Sequence, residues 1–221
     1  MTMTPGMVLT GARLDHAGKG PAAGLVVLLH GHRSSGNDLI HLAKQAQPML
    51  PDVAFVAPHG PEAIGSARRW FELSSADPAV IWRGVSGASP SLDRFLDAER
   101  DRLRLTDDRI VLVGFSQGTV MALHTGLRRR ALAGIVGYAG FLAGPGHLAE
   151  IRSRPPITLI HGDRDGIVPV QAMYATATAL KSAGLSVKTH VVPGLGHSIN
   201  LQAMVAGMEA IQQALLVNTR R

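Results

Sequence analysis

Six short, largely apolar segments recur along the chain: LVVLL at 25–29, VAFVA at 53–57, IVLVG at 110–114, AGIVGYA at 133–139, ITLIH at 157–161 and VKTHVV at 187–192. Runs of this length that lack regular polar alternation fit strands covered on both faces, as in a parallel sheet sandwiched between helices. Between them, apolar positions recur at helical spacing. Residues 37–49 place Leu39, Ile40, Leu42, Ala43 and Ala46 on one side, and residues 119–127, 170–183 and 199–217 read as further helices. Ser89-Pro90 reads as an N-cap followed by a first-turn proline, opening a helix that carries Leu92, Phe95, Leu96 and Leu103. MVLTGA at 7–12 is a candidate edge strand. Strands alternating with helices build βαβ units. The expected fold class is therefore α/β, a doubly wound and mostly parallel sheet with helices on both faces, whose ligand chemistry collects at the carboxyl ends of the strands.

Residues 58–89 break this rhythm. A 30-residue irregular stretch inside a compact domain is usually functional or hides an element. It holds both tryptophans, Trp70 and Trp82, so part of it is expected to pack near a site.

The 221 residues show no internal repeat and no linker, so one domain spanning 1–221 is expected. Cysteine is absent, which excludes disulfides, a thiolate zinc site and a cysteine nucleophile. Residues 1–20 lack the apolar core of a secretory signal, and no apolar run approaches the ~18 residues that span a bilayer. A cytoplasmic protein without stable membrane insertion is expected. The net charge is +6, with arginines at 68–69, 128–130 and 220–221. Basic residues in the last turn of a helix complement its dipole, and no aromatics interleave these clusters, so solvated helix ends are expected and a nucleic-acid groove is not.

The chemistry begins at Gly114-Phe115-Ser116-Gln117-Gly118, a Gly-x-Ser-x-Gly sequence running from an apolar segment into a helical one. A nucleophile elbow needs this form: the turn from strand to helix is so tight that side chains two positions either side of the serine would collide with neighbouring backbone. With this glycine and serine content the bare pattern arises by chance in roughly one such sequence in six, and requiring four apolar residues ahead of it lowers that below about 1%. The strand context therefore carries the specificity.

A neutral serine hydroxyl is a poor nucleophile, so the motif demands a histidine base and a carboxylate that fixes its tautomer, in the chain order serine, acid, histidine. Two strand ends downstream supply them. His161-Gly162-Asp163-Arg164-Asp165 follows ITLI, and Pro193-Gly194-Leu195-Gly196-His197 follows VKTHVV. Of ten histidines, His197 alone has both the order and the loop position. Spacing leaves Asp163 and Asp165 open as the acid, with the other free to tie the turn. For the oxyanion, Gln117 offers the N–H after the nucleophile. The turn at His30-Gly31-His32, after LVVLL, offers that of His32.

LLHGHRSSGNDL, APHGP, RRWFEL, GFSQGTVMAL, HGDRDGIVP and PGLGHSI, in this order over about residues 24–215, resemble the phospholipase/carboxylesterase group of the α/β-hydrolase fold, which includes acyl-protein thioesterases. The resemblance implies a serine hydrolase with Ser116, Asp165 and His197 as catalytic residues, Asp165 by its place in HGxxD. It implies backbone N–H groups of His32 and Gln117 as the oxyanion hole, no metal and no cofactor. The substrate would be a small acyl ester, with acyl thioesters or lysophospholipids as alternatives, and a homodimer is compatible with it. The chain departs from common family usage at His32 for leucine, Thr119 for glycine and Glu72 for aspartate. A chain this short leaves no room for a large cap, so an open pocket for short to medium acyl chains is expected. Its walls would be Trp70 and Phe71 on one side and Tyr138, Phe141 and Leu142 on the other. Two other readings compete. A metal-dependent hydrolase could use His30-x-His32 with His161, Asp163 and Asp165 from elsewhere, although Arg33-Ser34-Ser35 supplies no ligand close behind, and a non-catalytic binding protein could share the fold.

Overall fold

The computed structural model describes residues 8–130 and 132–217. In chain order its elements are β1 (Gly11–Leu14), β2 (Gly24–Leu29), α1 (Gly36–Ala46), β3 (Val53–Pro58), β4 (Glu62–Ile64), β5 (Ala67–Arg69) and α2 (Pro78–Leu103). These are followed by β6 (Ile110–Phe115), α3 (Gln117–Arg128), β7 (Gly134–Tyr138), β8 (Ile157–Gly162), α4 (Val170–Ser182), β9 (Val187–Val192) and α5 (Leu201–Val217). Seven strands form one sheet in the order β1-β3-β2-β6-β7-β8-β9. Every neighbouring pair is parallel except β1 with β3.

Successive side chains of a strand point to opposite faces, and here both faces are covered. Leu25, Val27, Leu29 and Leu112 join a core cluster with Leu92 and Leu96 of α2, Met121 and Leu123 of α3, and Met173 of α4. Val26, Leu28, Val111 and Val113 join a second cluster with Ile40 and Ala43 of α1 and Met208 and Ile211 of α5. This explains the absence of polar alternation in the apolar runs. Each such side chain, fully buried, contributes about 1.5–3 kcal/mol. Among the described residues, no helix is long and apolar enough to cross a membrane.

Three expectations change. The edge strand lies at Gly11–Leu14, antiparallel to β3, and not at 7–12, whose first residue is outside the described ones. The long helix starts twelve residues before Ser89-Pro90. Asp77 caps it, its Oδ1 accepting the Ala79 N–H at 2.8 Å, with Pro78 in the first turn. Pro90 sits inside the helix, and the Ser89 side chain is buried against α3, its hydroxyl 2.9 Å from that of Thr125. A proline in a helix interior removes one backbone hydrogen bond; burial of one face against the sheet keeps the helix continuous through it. The Asp77-Pro78 pair carried the same start signal further upstream.

The third change concerns residues 58–89, which resolve into the β4–β5 hairpin and the first turns of α2. The hairpin turns at Gly65, whose φ of +60° suits a residue without a side chain. Arg69 pairs with Glu62 across it and with Glu72 beyond it. Only one tryptophan goes to the predicted site. Trp82 lies on α2, stacked on His147 with ring centroids 3.8 Å apart, with the Arg128 guanidinium 4.8 Å above its ring. In the central arginine cluster Arg130 is exposed, but the Arg129 side chain is buried and bonds Asp93, Asp97 and Asp107 at 2.8–2.9 Å. Arg220 and Arg221 lie outside the described residues.

Candidate active site

Ser116 occupies the turn between β6 and α3 with φ 53° and ψ −116°. Such a conformation costs a non-glycine residue about 1–3 kcal/mol and persists only where the surroundings enforce it. They do so here. The Ser116 N–H donates to the Tyr138 carbonyl at 2.9 Å. A side chain at Gly114 would overlap the Gly118 carbonyl and the Thr119 nitrogen. One at Gly118 would overlap the Leu29 carbonyl, with its carbon at 2.5 Å and the His30 oxygen at 2.8 Å. Both glycines are thus required by the close approach of β2, β6 and α3. Thr119, the family departure, is accommodated. Its hydroxyl lies 2.8 Å from the carbonyl oxygens of Gly114 and of Tyr138, donating to one at a time, and its methyl fills space left by Gly137 and Gly140.

The loop after β2 passes directly over the serine: a Cβ on Gly31 would stand 3.4 Å from that of Ser116. His30 anchors this loop. Its Nδ1–H donates to the Gly31 carbonyl at 2.7 Å, and its Nε2 accepts the Gly60 N–H at 2.8 Å. Burial pushes its pKa down to about 4, so the ring is neutral at physiological pH. Both nitrogens are occupied, which removes His30 as a metal ligand and with it the His30-x-His32 reading. His32 follows, partly exposed, its own pKa lowered by burial and by the charges of Arg69 and Arg33.

The Gln117 side chain does work that the sequence reading missed. It is buried at the start of α3, where its oxygen accepts the Trp70 N–H at 3.0 Å and its amide donates to the Phe71 carbonyl at 2.8 Å. Trp70 in turn donates its indole N–H to the His30 carbonyl at 2.9 Å. Gln117 therefore staples the 70–71 loop to both the elbow and the His30 loop. Gln117→Met keeps the backbone N–H but leaves two buried backbone groups without partners. At about 1–3 kcal/mol for each such group, urea unfolding should show a loss of about 2–6 kcal/mol; an unchanged midpoint would refute the staple.

The acid and the histidine meet. His197 Nδ1 lies 2.7 Å from Oδ2 of Asp165, while Oδ1 of Asp165 accepts the N–H groups of Ile167 and Val168, both at 2.9 Å. Burial works against the charge of Asp165, but the His197 bond and the Val168 and Ile167 N–H groups outweigh it and hold the carboxyl below its ordinary range. Asp163 takes the tying role, accepting the Gly194 N–H at 2.6 Å. The two loops close on each other: Arg164 N–H reaches the Leu195 carbonyl at 3.0 Å, and Gly162 leaves room for Leu195 and Gly196. The His197 ring packs on Phe115, the residue before the serine, with centroids 5.0 Å apart.

The expected pocket walls are revised. Trp70 and Phe71 are buried, Trp70 completely. They form the layer behind the site, with Phe71 packed on Gly84 of α2. Tyr138 is also buried, and its hydroxyl lies over Gly207 of α5, in the cluster on the α1–α5 face. Phe141 and Leu142 keep partial exposure, with Leu142 N–H tied to the Thr176 hydroxyl of α4 at 2.9 Å. A tryptophan in an irregular segment reads equally as wall or as core. Its indole N–H found a buried carbonyl, and that decided for core.

A tight strand-to-helix turn at Ser116, with Asp165 and His197 brought together by the loops after β8 and β9 on a mostly parallel sheet, is the arrangement of an α/β-hydrolase. The phospholipase/carboxylesterase family model matches residues 16–215. The chain is 30% identical to acyl-protein thioesterase 1 of Neurospora crassa over 202 residues, 82% of each chain. It is 25% identical to esterase YpfH of Escherichia coli, covering 88% of this chain and 84% of that one. It superposes on the crystal structure of esterase PE8 with a TM-score of 0.89 at 36% identity, over 94% of this chain and all of the other. The chain belongs to the phospholipase/carboxylesterase family. It is a serine hydrolase of the carboxylic-ester type, acting on ester or thioester bonds.

Proposed function

We propose that the protein hydrolyses short- to medium-chain acyl esters by two-step acyl transfer through Ser116, His197 and Asp165. The observation that carries this reading is the 2.7 Å contact of His197 Nδ1 with Asp165 beside the Ser116 elbow. With Nδ1–H committed to the carboxylate, Nε2 is the free base. It takes the Ser116 proton as Oγ attacks the acyl carbon, then returns that proton to the leaving alcohol as the C–O bond breaks. Water repeats the sequence on the acyl-enzyme. Asp165 stays ionised throughout and stabilises the imidazolium. The backbone N–H groups of Gln117 and His32 meet the oxyanion, and losing one such donor typically costs ~2.7–4 kcal/mol in the barrier.

A thioester or lysophospholipid substrate would use the same steps, and the likeness to a named acyl-protein thioesterase favours the thioester as the second reading. Kinetics on p-nitrophenyl esters and acyl thioesters of graded length separate the two. The expected result is the highest kcat/KM on esters of two to eight carbons. A fluorophosphonate should label Ser116 covalently; wild-type turnover with no labelling at that residue would overturn the proposal.

A further inference from the structure

His161 ends β8 and is fully buried. Its Nε2 lies 2.8 Å from the Val168 carbonyl oxygen and 3.3 Å from Oδ2 of Asp165. A carbonyl oxygen only accepts, so Nε2 carries the proton and donates it to the Val168 carbonyl, with the carboxylate oxygen close beside that N–H. Nδ1 is buried and has no partner among the described residues. A histidine kept in the interior at the cost of an unsatisfied nitrogen is there for what its other nitrogen does.

Val168 connects the two halves of this arrangement. Its N–H bonds Oδ1 of Asp165 while its carbonyl receives His161. The ring therefore acts on Oδ1 through the peptide that feeds it, and its N–H dipole lies 3.3 Å from Oδ2. With Ile167 N–H and His197 Nδ1–H, the carboxylate accepts three hydrogen bonds. These fix its rotamer, and the His161 N–H stands beside Oδ2.

We infer that His161 is a positioning residue, whose Nε2–H locks the 165–168 turn and the Asp165 carboxylate so that Oδ2 faces His197. The inference rests on the proposed roles of Asp165 and His197. It concerns a residue that neither touches the substrate nor exchanges a proton with it.

The test compares H161Q, H161N and H161L. A glutamine amide nitrogen reaches the place of Nε2, an asparagine amide only that of Nδ1, and leucine fills volume without a donor. For a p-nitrophenyl ester, H161L should lose about 10- to 100-fold in kcat with KM little changed, the loss expected from a small misplacement of the base. H161N should behave like H161L, and H161Q should recover kcat to within about threefold of wild type. The downfield proton resonance of His197 Nδ1–H, read without substrate, should broaden or move in H161L and H161N and be restored in H161Q. Wild-type kcat and resonance in H161L, or equal values in H161Q and H161N, would overturn the inference. Should H161L fail to fold, the glutamine–asparagine pair still decides. The resonance can be recorded in the Ser116→Ala background, so a failure here is distinguishable from a failure of the nucleophile assignment.

Discussion

Ser116→Ala should lower kcat for a p-nitrophenyl ester by about a millionfold, leaving the small residual catalysis that an oxyanion hole and binding sustain without a nucleophile. The fold should be untouched. Alanine and serine both carry a Cβ, so the strain at φ 53° is the same for each, and the bond that holds this turn comes from the backbone N–H to Tyr138, which alanine keeps. Circular dichroism and the unfolding midpoint should match wild type while turnover disappears. A variant that folds normally and keeps more than a few per cent of the wild-type rate would mean that another group attacks the acyl carbon.

Asp165→Asn should cost about 10⁴-fold in kcat, through a proton on the wrong nitrogen. The geometry dictates which way the amide lies. Ile167 and Val168 both present N–H groups to Oδ1, so the asparagine oxygen must sit there and its NH₂ must take the place of Oδ2. That NH₂ then donates to His197 Nδ1, which becomes the acceptor, and the ring proton moves to Nε2, where a base is needed. The variant should fold and bind substrate with a KM near that of wild type. A kcat within tenfold of wild type would argue that the carboxylate serves only to hold the loop.

Six strands of the large sheet were legible from their apolar runs, each within one residue of its place in the structure, and most are buried on both faces, whereas β1 was misplaced and the β4–β5 hairpin was not foreseen. The turn at Ser116 was legible because glycine is forced there: Gly114 and Gly118 leave a trace in the sequence that steric overlap explains. The acid was not decided by spacing. Asp163 and Asp165 both sit after a strand end, and only the side-chain directions separate them, one toward Gly194 N–H and one toward His197. The start of α2 was misplaced because two proline-bearing start signals compete, and a buried face overrides the local preference at Pro90. The side-chain roles of Gln117 and His161 were passed over for a different reason. Their partners are backbone groups, of the distant 70–71 segment for Gln117 and of the loop after β8 for His161, and such bonds leave no pattern of their own. A hint existed in the His-Gly pair that follows β2 at His30-Gly31 and closes β8 at His161-Gly162. In each, the ring is buried and bonded to the backbone of a loop beside the site.

Thr119 places its methyl 2.5 Å from where a Cβ on Gly137 would stand, and its Cγ2 would also lie 2.8 Å from one on Gly140. The three positions therefore cannot drift independently. A lineage that acquires this threonine is bound to glycine on the neighbouring strand and beyond it, and one that abandons the threonine gains freedom at 137, while the Ser116 carbonyl still restrains 140.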